Sequence, residues 1–128
     1  MPEVMQTDPV TGGMKAAKDE AFALIPPEAL EDIARVYGYG VKKYGPHNWR
    51  KGYPWSWSFS ALMRHLWAFW RGEDLDPESG LPHLSHAGFH VMSLLAYRRT
   101  ASGTDDRWRP DARVELRPNA HVPEFSPL

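Results

Sequence analysis

Residues 82–99 constrain the fold more than any other part of this chain. Leu84, Ala87, Gly88, Val91, Leu94 and Leu95 recur at intervals of three, four and seven, which lines them along one face of an α-helix. His83, His86, His90, Ser93 and Tyr97 gather on the opposite face at the same spacing. An apolar stripe needs a surface to pack against, so this helix predicts neighbours. Three histidines in register make its other face a candidate site, the plain alternative being a histidine face that merely solvates the helix.

Two further helices supply those neighbours. Pro26-Pro27 opens a segment in which Leu30, Ile33, Ala34, Tyr37, Val41 and Tyr44 repeat at helical intervals. Pro27 suits a first helical turn, and Glu28, Glu31 and Asp32 favour the positive end of the helix dipole. Lys42 and Lys43 complement the other end, and Gly45-Pro46 stops it, with Gly38 and Gly40 weakening the last turns. Residues 45–57 read as a loop because their glycines and prolines forbid a long regular element. A second helix is expected over residues 58–71, with Phe59, Leu62, Met63, Leu66, Phe69 and Trp70 as its apolar stripe and Gly72 at its end.

The fold class that follows is all-α, a compact helical bundle with an irregular proline-rich C-terminal tail. Residues 1–14 read as a flexible or extended lead-in, residues 15–99 as the helical domain, and residues 100–128 as an extended arm. Trp108, Val114, Leu116 and Phe125 would let that arm pack on the bundle or on a neighbouring subunit. At 128 residues one domain is expected, assembled with copies of itself. The 15 basic and 16 acidic residues nearly cancel, which argues against general nucleic-acid binding. With no cysteine, disulfides and thiolate zinc sites are excluded. No apolar run approaches the length of a membrane helix and none resembles a signal peptide, so a cytoplasmic protein is expected.

The chemistry concentrates between Arg64 and His90, where four histidines and four acidic residues lie between two helical patterns. Glu73, Asp74, Asp76 and Glu78 crowd into six residues, and crowded carboxylates repel unless a cation neutralises them. A solvated acidic turn is the plain alternative. The neighbouring histidines favour a metal site, with Glu73, Asp76 and Glu78 as oxygen ligands and His83 and His86 as further ligands or as groups that orient an attacking water. Upstream, Lys42, Lys43, Arg50 and Lys51 place four positive charges in ten residues, suited to phosphate oxygens. Trp49, Tyr53 and Trp55 offer flat faces for a base, and Asn48 a hydrogen-bonding edge. Tryptophans in such a loop also serve simply to seal a bundle, and Trp67 and Trp70 are expected in the core or in a subunit interface. Phosphate-binding glycine loops, G-x-S-x-G, H-E-x-x-H and His-Asp pairs are all absent.

The strings LIPPEAL, KKYGPHNWRKG and RHLWAFWRGEDLDPESGLPHLSHA, spread over residues 15–98, resemble the phage-encoded dATP/dGTP diphosphohydrolases, relatives of the all-α MazG-like nucleotide pyrophosphohydrolases. The resemblance implies a helical homo-dimer or homo-tetramer in the host cell cytoplasm. It also implies Mg²⁺ or Mn²⁺ as cofactor and a purine deoxynucleoside triphosphate, dGTP or dATP, as substrate, cleaved to monophosphate and pyrophosphate. MazZ-like members are associated with phages that make 2-aminoadenine DNA. The MazG pattern E-E-x-x-E followed by E-x-x-D is not present in its usual form; Glu28-x-x-Glu31 and Glu73-x-x-Asp76 imitate its halves. The later string carries over instead, with Glu78, His83 and His86 as catalytic groups and Glu78 or His83 accepting the proton. Lys43, Arg50 and Arg64 would hold phosphates, Asn48 and Trp49 would contact the base, and His65 would face the ligands. The rival reading is a helical module that binds a nucleotide or nucleic acid without chemistry; a purely structural histidine–metal site is a third.

Overall fold

A computed structural model describes residues 3–110 of the chain. The chain divides after Glu31 into two compact units. The first contains a feature absent from an all-α fold: β1 (Val4–Thr7) and β2 (Met14–Ala17) pair antiparallel, with Val4 opposite Ala17 and Thr7 opposite Met14. The turn between them is built by Asp8, whose carboxylate accepts the Val10 backbone N–H at 2.8 Å, and by Gly12 at φ +79°. Much of the segment read as an irregular lead-in is therefore an ordered hairpin, and the fold is mostly helical rather than all-α. A 3₁₀ turn at Phe22–Leu24 precedes α1 (Pro27–Tyr44), whose first residues close this unit.

The second unit holds the rest of α1, a 3₁₀ turn at Asn48–Lys51, α2 (Trp55–Trp70) and α3 (His83–Thr100). Ser58 meets His90 and His65 meets His83, so α2 and α3 run antiparallel. Helix α1 runs to Tyr44 despite Gly38 and Gly40, and Gly45, at φ +88°, ends it. Helix α2 begins at Trp55, three residues before the expected start. The cause is remote in sequence: Thr104 C=O accepts the Trp55 N–H at 3.0 Å and the Asp106 carboxylate accepts the Ser56 N–H at 2.9 Å, capping donors that would otherwise lack partners. At its far end Gly72 N–H bonds Phe69 C=O and Glu73 N–H bonds Ala68 C=O, a Schellman closure around a glycine at φ +98°. That closure delivers Glu73 directly into the acidic loop.

The interior is unusually polar. Among the described residues, Val36, Ala68, Ala87 and Tyr97 are the buried hydrophobic side chains, beside buried Ser58, His83, Ser85 and Ser93. Every fully buried side-chain polar atom described has a hydrogen-bond partner. The stripe expected to face the core of α3 is largely outside: Leu84, Val91 and Leu95 are exposed, while His83 and Tyr97 lie within. Only Ala87 and Gly88 of that stripe meet the prediction closely, a Cβ on Gly88 approaching the Ile33 side chain to 2.6 Å. On α2, Phe59, Leu66, Phe69 and Trp70 are likewise exposed. Periodicity identifies two faces on a helix but not which one turns inward; here polar groups bonded to one another occupy the inside. Val114, Leu116 and Phe125 of the expected arm lie outside the described residues.

Candidate active site

The acidic loop is tightly hydrogen-bonded around Asp76, while the Glu73, Asp74 and Glu78 side chains remain exposed. Asp76 N–H donates to Leu81 C=O at 2.8 Å and Gly80 N–H to Asp76 C=O at 2.7 Å. The Asp76 carboxylate receives the Ser79 backbone N–H at 2.9 Å and the Ser79 hydroxyl at 3.0 Å. Burial works to raise the Asp76 pKa, yet those two bonds and the charges of His86 and His65 outweigh it and hold the carboxyl below its usual range. The loop thus presents an ionised carboxylate, only 17 % exposed, to the histidine face of α3.

His65 from α2 enters that face. Its ring stacks on His86 at 4.6 Å between centroids, and its Nδ1 lies 2.8 Å from Nδ1 of His83. Nε2 of His83 lies 3.2 Å from the Glu73 carboxylate, and Nε2 of His86 lies 2.7 Å from the Ser79 hydroxyl. His90 continues the row, with Nδ1 3.0 Å from the Ser58 hydroxyl, which in turn is 2.6 Å from the Tyr53 hydroxyl. Burial, then repulsion from His86 and His83, lowers His65 to about 4; burial, then His65 and His86, lowers His90 to about 4. His86 is lowered as well, chiefly by burial. His65, His86 and His90 are therefore neutral near pH 7, the state in which a ring nitrogen can ligate a cation.

Three of these side chains converge closely: one ligand atom each from His65, Asp76 and His83 lie within 4.8 Å of one another. Two imidazoles and a carboxylate form a donor set that fits a divalent ion. The ligands expected from the sequence divide differently. Asp76 joins the group, and Glu73 borders it through His83. Glu78 instead accepts Lys43 Nζ at 2.7 Å and the Tyr39 hydroxyl at 3.1 Å, and those two bonds draw its carboxyl below the ordinary range. The same contact with Glu78 raises the Lys43 pKa.

A cleft of about 1140 Å³ opens beside the cluster. Its wall includes Lys43, Asn48, Trp49, Arg50, Arg64, His65, Asp76, Glu78 and His86, so the predicted substrate-binding residues come together with most of the predicted catalytic and metal residues. His83, 5 % exposed, and Glu73 are not among the residues that line the cleft. Trp49 is boxed in: Tyr37 and Tyr97 lie at 5.5 and 6.1 Å, the Arg50 guanidinium covers it at 4.5 Å, and its carbonyl accepts the Tyr97 hydroxyl. Trp55 is a structural anchor, donating Nε1–H to Ser102 C=O at 2.9 Å. Sequence reasoning missed Ser79, Tyr39, Ser58 and Trp57. Asp76-x-x-Ser79 carried the signal of a side-chain-closed turn; the partners of Tyr39 and Ser58, 39 and 32 positions away, carried no local signal.

These features define a helical domain with a histidine–carboxylate cluster set beside a cationic, aromatic cleft. The family described as dATP/dGTP diphosphohydrolase, N-terminal, matches residues 9–107, and the chain belongs to it. A curated dATP/dGTP diphosphohydrolase of Salmonella phage PMBT28 is 33 % identical over 96 residues, covering 74 % of this chain. The chain spans about a third (33 %) of that relative's length. No solved structure matches it.

Proposed function

We propose that the cleft binds a purine deoxynucleoside triphosphate, dGTP or dATP, and hydrolyses it to the monophosphate and pyrophosphate. The observation that carries this reading is the convergence of His65, Asp76 and His83 beside a cleft whose cations, Lys43, Arg50 and Arg64, suit phosphate oxygens. Family membership and the name of the phage relative support the substrate class.

The cluster would hold a divalent ion, and its mixed nitrogen and oxygen donors suit Mn²⁺ better than Mg²⁺, which prefers oxygen alone. Such an ion supplies positive charge against the triphosphate and makes water more acidic. Arg64 and Arg50 bind and orient phosphates, and Lys43 can exchange its bond to Glu78 for one to a phosphate oxygen. Water attacks the α-phosphorus; the bond to the bridging oxygen breaks, and pyrophosphate departs with the electron pair. The water's proton passes to a neutral histidine or to a carboxylate. His86 is suited to this task, lining the cleft with Nε2 already hydrogen-bonded to Ser79, whereas Glu78 becomes available as Lys43 turns to phosphate.

Incubation with each deoxynucleoside triphosphate and Mn²⁺, with products resolved by chromatography, tests the reaction. Equal amounts of monophosphate and pyrophosphate are expected; orthophosphate with a diphosphate, or no turnover, overturns it. The exposed apolar faces of α2 and α3 support homo-oligomeric assembly as part of the same proposal. No helix among the described residues is long and apolar enough to cross a membrane.

A further inference from the structure

The cleft contains several aromatic rings, but most are already engaged. Trp49 is enclosed by two tyrosines and Arg50, Tyr39 donates to Glu78, and the Lys43 ammonium lies 5.3 Å from the Tyr44 ring. Trp57 differs from all of these. It lines the cleft, is 64 % exposed, and has one face held against Tyr53 at 5.7 Å and an interplanar angle of 20°. Among the described residues no ring or cation lies on its other face.

Its backing is rigid. The Tyr53 hydroxyl is bonded to Ser58, which is fully buried, and the Tyr53 ring meets buried Tyr97 edge-on at 5.6 Å. The strand-like segment after α3 fixes Tyr53 from the other side, its Thr104 N–H bonding Tyr53 C=O at 3.3 Å. An exposed indole held in this way loses little freedom on binding a flat ligand.

Position on α2 gives the platform a direction. Trp57, Ala61 and Arg64 follow at intervals of four and three and all line the cleft, with His65 next in the chain. Seven residues of helix span about 10 Å. The face therefore runs from a flat ring, past a small side chain that leaves room, to a guanidinium and then to the histidine–carboxylate cluster. Among the described residues Arg64 makes no ion pair. A nucleoside triphosphate has the same sequence of parts: base, sugar, phosphates.

We propose that Trp57 is the platform on which the base of the bound nucleotide stacks, so that recognition of the base passes from Trp49 to Trp57. This rests on the reading of the cleft as a nucleotide site. Stacking acts on any base, and a purine covers more of an indole than a pyrimidine does, so the platform contributes a preference for purines without distinguishing guanine from adenine.

Equilibrium binding of the α,β-methylene analogues of dGTP and dCTP, and of inorganic tripolyphosphate, each with Mn²⁺, tests the assignment. Trp57→Ala is expected to weaken the dGTP analogue by about tenfold or more, and the dCTP analogue by less. Tripolyphosphate, which has no base, should bind as before, and Trp57→Phe should stay within about threefold of the parent because it keeps a ring. Equal weakening of all three ligands by Trp57→Ala, or no weakening, overturns the platform while leaving the nucleotide reading intact. Failure of the unaltered protein to bind any of the three overturns both.

Discussion

Asp76 concentrates more of the proposed chemistry than any other side chain. Its carboxylate organises the acidic loop through Ser79 and is also one of the three atoms that converge with His65 and His83. Asp76→Asn retains a carbonyl oxygen that can accept from Ser79 but removes the negative charge. Turnover with Mn²⁺ is expected to fall by roughly 100-fold or more, and Mn²⁺ affinity by at least about tenfold, with little change in Tm measured in chelator. Metal titration beside thermal melting checks this, and an unchanged Mn²⁺ affinity would remove Asp76 from the ligand set. His90 makes a different prediction. Burial holds its folded pKa at about 4, against an ordinary unfolded value of about 6.5. Between those values the unfolded chain binds the proton and the folded chain does not, so stability is full above about pH 6.5 and falls as pH drops towards 4. His90→Asn preserves a hydrogen-bonding partner for Ser58 and removes this titration. Denaturant midpoints between about pH 7.5 and about pH 4.5 should decline less steeply in the variant, with His65, His86 and the lowered carboxylates of Asp76 and Glu78 contributing to the slope that remains.

At the scale of elements, the start of α2 depends on a segment that reads from the sequence as the beginning of an extended arm. Gly52 and Gly103 pack so closely that a Cβ on Gly103 would collide with the Tyr53 carbonyl oxygen, and Gly103 has φ +75°. Gly103→Ala should therefore destabilise more than Asp106→Ala, whose lost cap costs about 1 kcal/mol. Both are measured by denaturant unfolding. Because Tyr53 and Trp57 adjoin this contact, Gly103→Ala should also weaken nucleotide binding, whereas a stability loss with unchanged binding would separate the strap from the cleft. The helices themselves were legible: Pro27, the terminal lysines and Gly45 marked α1 closely, and Gly72 marked the end of α2. The acidic loop and histidine row were legible because their spacing is local. The early start of α2 was not, since its caps come from Thr104 and Asp106. Nor was the hairpin, whose strands of four residues each are too short to display alternation beside a plain Asp8-Pro9 and Gly12-Gly13 turn.

For the whole molecule the governing fact is the polarity of α3, whose histidines lie inside while Leu84, Val91 and Leu95 face outward. Among the described residues nothing covers this apolar stripe, while the polar face is held by hydrogen bonds throughout. Under the proposed assembly the stripe is covered by a second copy, and the exposed Phe59, Leu66 and Trp70 of α2 supply further apolar surface suited to the same burial. Periodicity marks the two faces of α3, and the self-assembly expected from the sequence would give its apolar face a cover that the chain's own core does not. Val91→Glu with Leu95→Glu tests this directly. In a monomer these exposed positions would tolerate charge with changes within about 0.5 kcal/mol. In an oligomer that buries them, two carboxylates per subunit would be desolvated without partners, and sedimentation should show a shift to the mass of a single chain. The histidine row would still be formed in the dissociated chain, since its contacts lie within one subunit. Retained Mn²⁺ binding at the lower mass is therefore the expected companion result, and an unchanged mass would place the interface elsewhere.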